Sequence, residues 1–360
     1  MTSSAKLDPD LSLIVCDANG FGRLLGRRED MRTLLVWPHA SMFVIESLDR
    51  LRERGLASGS LAEHEDFFRR CRQSLKLLDD RRSASVVLNY YARVVSANHR
   101  AFVERHLGPL ASLKRFLQTD LGLFMEDSHL VGTTHLTTTY LGMTDEELAL
   151  LSLESLATGQ QGRFESARVL GQYLSKLRTA FALGELSTRQ PLPPLGRVDV
   201  KTRAFYAPLL RRTDEASLAL AMLLTSVLAS ANSAIYTFSK LDGPARGPSS
   251  FLLKWRLVTL FHCTASLKKA LSSDHRDPAL RSRVVTKGTE LRRRLRFVER
   301  CKTLRDALVH YDLGGRFPGV PTPSAISEAP LERAHEKVLR GLTDISVTLS
   351  DLLGCQPETR

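Results

Sequence analysis

The chain has 360 residues, 43% of them hydrophobic and 25% charged, with a formal net charge of +12. That apolar content can bury one large or two ordinary cores, and it excludes a disordered chain. About three arginines stand for each lysine, and arginine suits bidentate phosphate contacts, so a nucleic acid or an anionic membrane fits the charge. A genome rich in arginine codons would give the same composition.

Five scattered cysteines, Cys16, Cys71, Cys263, Cys301 and Cys355, form neither a disulfide framework nor a zinc motif, and a reducing cytoplasm is the expected setting. The N-terminus lacks the apolar core of a signal peptide. Ser217 to Phe238 is long enough to cross a bilayer, but its Ser, Thr and Asn content and missing basic flanks favour a helix buried among helices, with no membrane partner.

Taken in order, Leu11 to Cys16 reads as a short strand, followed by a turn from Asp17 to Gly22. Gly20, Gly22 and Gly26 only loosely resemble a phosphate-binding turn, and a plain loop is expected. From Ser41 the pattern is helical: Met42, Ile45, Leu48 and Leu51 recur at three-residue steps, and Gly55 ends the run. Further helices are expected over 62–78, 83–106 and 110–125. The Thr-rich stretch 132–142 breaks the periodicity. Thr144 and Glu147 then form a capping box, opening helices to about Thr158 and from Arg163 to Leu183. The prolines at 191, 193 and 194 mark 187–197 as a linker, which divides the chain into an N-terminal helical domain, 1–190, and a C-terminal one, 191–360. The second half holds an apolar helix from Thr213 to Phe238 and others over 249–271 and 279–311. A loop with three prolines follows. The last helix, 331–353, carries Val338, Leu342, Ile345, Leu349 and Leu352 along one side. The expected fold is all-α, an antiparallel multi-helix bundle of about ten helices in two halves.

The segment Cys301-Lys-Thr-Leu-Arg-Asp-Ala-Leu-Val-His-Tyr-Asp312 carries the chemistry. At about 100° per residue, Leu291, Leu295, Phe297, Val298, Cys301, Leu304, Leu308 and Val309 cover half the helix, and Arg292, Arg293, Arg296 and Arg300 cover the other. Arg305 falls inside the apolar arc, where a guanidinium needs an acidic partner or a polar cleft. His310 lies about 140° from it. Asp306 is four residues before His310 and is expected to accept a hydrogen bond from the imidazole, fixing its tautomer. An arginine to hold a phosphate and a histidine to move a proton suit RNA cleavage without a metal.

Leu304-Arg305-Asp306-Ala307-Leu308-Val309-His310-Tyr311 resembles the signature of the HEPN superfamily, in which an arginine followed by Asn, Asp or His precedes a histidine by four to six residues. The resemblance implies a helical-bundle ribonuclease of toxin–antitoxin, abortive-infection or CRISPR-associated type, with two motifs meeting across a homodimer. Arg305, Asp306 and His310 would then be catalytic. Arg292, Arg293, Arg296, Arg300 and Lys302 would bind RNA, an antitoxin or defence protein is a possible partner, and no cofactor or metal is expected.

Similar spacings occur at Arg32–His39, Arg93–His99, Arg100–His106 and Arg256–His262. Arg93 and Arg256 are followed by apolar residues, so core or surface roles are expected there. His129 and His135, near Glu126 and Asp127, fit no metal-ligand spacing and are expected to be surface loop histidines. The alternatives to a nuclease are a structural Arg–Asp–His cluster at a helix end, in a non-catalytic RNA- or protein-binding module, and a scaffold within a larger complex.

Overall fold

A computed structural model describes residues 8–25, 31–56, 64–79, 84–104, 110–181, 192–210, 214–242, 250–272, 278–312, 315 and 328–355. The protein is about 80% helical, as its periodicity implies, but it has more helices than ten and also a small three-stranded sheet.

Helix α1 (Pro9–Leu25) occupies the stretch expected to be strand and turn. Asp8 caps it, accepting from the Asp10 amide at 2.8 Å, and Pro9 takes the first position, where no amide hydrogen is needed. Leu13, Ile14, Ala18 and Phe21 are buried at helical spacing. Gly20 and Gly22 are thus helical residues. A Cβ on Gly20 would lie 2.3 Å from the Phe251 ring, so its lack of a side chain lets two helices approach. Gly26 lies outside the described residues.

Helices α2 (Met31–Glu53), α3 (His64–Asp79) and α4 (Ala84–His99) follow, and α4 runs into a π-helical turn over Arg100–Glu104. Met42, Ile45, Leu48 and Leu51 of α2 are buried, as their spacing implies. The helix expected over 110–125 is instead a short α5 (Ala111–Leu117) and strand β1 (Leu121–Glu126). A hairpin leads to β2 (His129–Thr133). Asp127 and Ser128 form its turn with φ of 48° and 65°, the left-handed pair that suits the strand twist. An unbroken apolar strand joined by Asp-Ser rather than Asn-Gly carries little hairpin signal.

The Thr-rich stretch is helix α6 (Thr134–Tyr140), capped by Thr133, which accepts from the Leu136 amide at 3.1 Å. Thr137, Thr138 and Thr139 turn their hydroxyls back onto carbonyls of the preceding turn, satisfying groups that would otherwise disfavour a buried helix. The capping box at Thr144 and Glu147 opens α7 (Asp145–Ala149) as expected. The first of the two helices expected there ends early, at Ala149, and the second, α8 (Leu153–Ala180), begins ten residues before Arg163.

The expected boundary at 190/191 lies outside the described residues. Beyond it, β3 (Gly196–Val200) pairs antiparallel with β1, giving the order β2-β1-β3. After α9 (Thr202–Tyr206), Asp214 caps α10 (Glu215–Asn232), which continues through a π-helical turn into α11 (Phe238–Asp242). This apolar span is buried, packed on α4, β2 and the two helices α12 (Ser250–Ser272) and α16 (Glu328–Leu353). Side chains from both sides of residue 190 enter one apolar core. The five apolar positions of α16 are all buried.

The long helix expected over 279–311 is broken into α13 (Pro278–Arg294), α14 (Phe297–Arg300) and α15 (Lys302–Val309). At the breaks, Val298 donates to Leu295 and Cys301 to Val298, each at 3.0 Å, tightening the chain to three-residue turns. Leu291, Leu295, Val298, Leu308 and Val309 stay buried throughout.

Candidate functional site

The motif is α15 and the turn that ends it. The His310 amide donates to the Asp306 carbonyl at 3.0 Å and the Asp312 amide to the Ala307 carbonyl at 2.9 Å, a closure that puts Tyr311 in the left-handed region at φ 51°. Glycine usually takes that position, and a side chain there costs about 1–2 kcal/mol.

Burial holds Tyr311 in place. Its hydroxyl donates to Asp17 Oδ2 at 2.6 Å, and Lys254 Nζ lies 2.5 Å from the same oxygen and 3.8 Å from the Tyr311 ring centre. Trp255 Nε1 donates to the other Asp17 oxygen at 3.3 Å. Asp17, Lys254 and Tyr311 are all fully buried. Burial pushes the Asp17 carboxyl up and the Lys254 ammonium down, each opposed by the other's charge. It also drives the Tyr311 phenol well above its ordinary range.

The residue before this anchor is His310, whose side chain is 42% exposed and whose Nδ1 lies 2.8 Å from Glu46 Oε2. Glu46 is buried in α2 and also pairs with Arg72 of α3. A proton on Nδ1, donated to Glu46, leaves Nε2 as the nitrogen that can exchange protons with a substrate. The orienting carboxylate is therefore Glu46, in place of the expected Asp306. Asp306 instead pairs with its neighbour Arg305 at 3.1 Å.

Arg305 finds the acidic partner that a guanidinium on an apolar face needs. Besides the Asp306 carboxylate, it has the Phe261 ring of α12, 5.0 Å from its central carbon to the ring centre. Its side chain is 18% exposed. Phe261 and Asp306 thus reach Arg305 from α12 and from its own turn, whereas Glu46 reaches His310 from α2. Just beyond, Asp312 is 3.4 Å from Arg50, which also binds Asp10 at 2.8 Å and so ties α1, α2 and the motif turn together. Arg292, Arg293, Arg296 and Arg300 are exposed, as the helical wheel implies, and so is Lys302.

The other arginine–histidine spacings have separate fates. Arg32 pairs with Glu126 at 2.6 Å, and His39 is buried against the Thr259 hydroxyl at 3.1 Å. Arg256 is buried, donating to the Ala234 carbonyl at 2.9 Å and contacting His335, a core role as expected. Arg93 is an exposed partner of Asp145, while His99 meets Asp120 at 2.9 Å. His106 lies outside the described residues. His135 is a fully buried residue of α6 rather than a surface loop histidine, and His129 stacks on Tyr236 with ring centres 3.9 Å apart.

The sequence reading missed Glu46, Arg72, Asp17 and Lys254. A signal existed for two of them. Glu46 stands four residues after Met42, about 40° away on the helical wheel and so inside the apolar stripe. Lys254, like Arg256, interrupts the apolar run Phe251–Leu257. A charge in such a place needs a buried partner, but sequence does not say which. No protein-family model, no curated protein and no solved structure matches this chain.

Proposed function

We propose that the chain is a HEPN-type endoribonuclease in which His310 transfers the proton of the RNA 2′-hydroxyl or of the leaving oxygen. The observation that carries this reading is the half-exposed His310 imidazole with Nδ1 on buried Glu46. A carboxylate in that place fixes the tautomer and leaves Nε2 as the nitrogen that exchanges the proton. Arg305 is the phosphate ligand, exchanging Asp306 for a substrate oxygen, and the exposed arginines of α13 and α14 draw in the backbone. One histidine gives one proton-transfer group, so two chains paired about a two-fold axis supply the acid and the base. The setting that suits such activity is a toxin or phage-defence system in the cytoplasm.

The engagement of Arg305 by Asp306 and the Phe261 ring favours a second reading, in which the motif is structural and the chain binds RNA or a protein without cutting. Single-turnover cleavage of a labelled RNA separates the two. His310→Ala should lower the rate by about 10²–10⁴-fold with an unchanged circular dichroism spectrum. Glu46→Gln should lower it less, since an amide oxygen can still accept from Nδ1. Cleavage should persist in a chelator. RNA left intact by the parent protein, or cut equally fast by His310→Ala, would establish the non-catalytic reading.

A further inference from the structure

Away from α15, a cleft of about 610 Å³ opens between the end of α4, its π-helical turn, α5, the β3–α9 corner and the start of α10. Its volume is that of a small-molecule site. His99 lines it, 46% exposed, with Nδ1 2.9 Å from Asp120 Oδ2. Asp120 is itself 9% exposed, and its second oxygen accepts the Thr202 amide at 2.7 Å. Burial works to raise the Asp120 carboxyl, but the bonds from His99 and Thr202 carry it below its ordinary value. The carboxylate is thus fixed and ionised, and Nε2 is the free nitrogen of an oriented imidazole.

Around this pair stand four cations, Arg100, Arg115, Lys201 and Arg203. Three of them donate to neutral backbone carbonyls: Arg100 to Leu148 at 3.2 Å, Arg115 to Glu104 at 3.4 Å, and Lys201 to Phe116. Arg203 has no partner among the described residues. A carbonyl leaves the positive charge uncompensated, so the cleft holds more cationic charge than its neighbours neutralise. The lining also carries the exposed carboxylates of Glu104 and Glu215, and an apolar wall that includes Val95 and Leu218. Cations beside carboxylates and an apolar wall fit a molecule with an anionic end, hydroxyl groups and a flat apolar part.

We propose that the cleft around His99 and Asp120 is a second site, binding a phosphorylated, hydroxyl-bearing small molecule of mononucleotide size. Its phosphate meets Arg203 and Arg115 with His99 as an added donor, its hydroxyls meet Glu104 and Glu215, and its base lies on the apolar wall. The inference does not rest on the ribonuclease reading, because it uses none of the residues of α2, α3 or α15.

Isothermal titration of the full chain with adenosine 5′-monophosphate, inorganic phosphate and adenosine tests it. Adenosine monophosphate should bind saturably at one per chain, phosphate should compete for the same site, and adenosine should bind at least tenfold more weakly than the monophosphate. Arg203→Gln and His99→Gln change exposed side chains, so the fold should survive. Each should weaken the nucleotide about tenfold or more, the loss expected of one charge-assisted hydrogen bond. His310→Ala should leave the affinity unchanged. No saturable binding of either phosphate-bearing probe would overturn the proposal. So would adenosine binding as well as its monophosphate, or full affinity in both cleft variants.

Discussion

Replacing Lys254 with Met isolates the buried anchor beneath the motif. The two side chains have similar length, so the change removes the charge with little change in packed volume. What remains is the Asp17 carboxylate, fully buried, with the Tyr311 hydroxyl at 2.6 Å and Trp255 Nε1 at 3.3 Å as its side-chain donors among the described residues. Removing one partner of a buried ion pair costs about 3–5 kcal/mol, because the other charge stays desolvated. The expected loss therefore lies near 4 kcal/mol at pH 7, about a third or more of a typical domain's total stability. The pH dependence has a definite sign. Burial already raises Asp17 in the parent, and without the ammonium it rises further. A group raised on folding contributes its stability at low pH and loses it as pH rises through the folded value. The gap between variant and parent should accordingly narrow from pH 7 to pH 5. Urea unfolding followed by circular dichroism at both values measures it, and adding Asp17→Asn to the Lys254→Met variant should recover much of the loss. Equal stability of Lys254→Met and parent at pH 7, or no recovery by the second change, would refute the ion-pair account.

Two further outcomes follow from single residues. Burial lowers His39 to about 3 and His135 to about 4; each stays neutral in the folded chain, so stability is lost as pH falls below 6.5. At about 1.4 kcal/mol per pH unit, each site costs about 2 kcal/mol at pH 5. His39→Gln should make unfolding free energy fall less steeply between pH 6.5 and 5, and an unchanged slope would contradict this. Gly142 and Gly55 both have left-handed backbones, φ 60° and 65°, but a Cβ on Gly142 would lie 2.7 Å from the Arg70 carbonyl carbon while Gly55 has open space around it. Gly55→Ala should cost about 1–2 kcal/mol, the backbone term alone, and Gly142→Ala clearly more; equal losses in thermal unfolding would show that no clash exists.

By itself the sequence determined the helical class, the buried stripes of α2 and α16, the capping box at Thr144, the exposed arginine face of α13 and α14, and burial of the apolar span from Ser217. All of these follow from near-neighbour spacing, since a helix brings i, i+3 and i+4 together without help from the rest of the chain. Tertiary structure decided what depends on partners far away in sequence. Leu11 to Gly22 could alternate as a strand or wind as a helix, and the close approach of Phe251 at Gly20 shows which surface it had to fit. Strand β1 looks like helix until β3, some seventy residues on, supplies its hydrogen-bonding edge. The motif was legible as Arg305, Asp306 and His310, but its wiring was not. Glu46 reaches His310 from 264 positions away and Asp17 reaches Tyr311 from 294. A charged side chain at a buried position announces that it must be paired, because desolvation would otherwise be prohibitive. Only the folded chain determines which partner arrives.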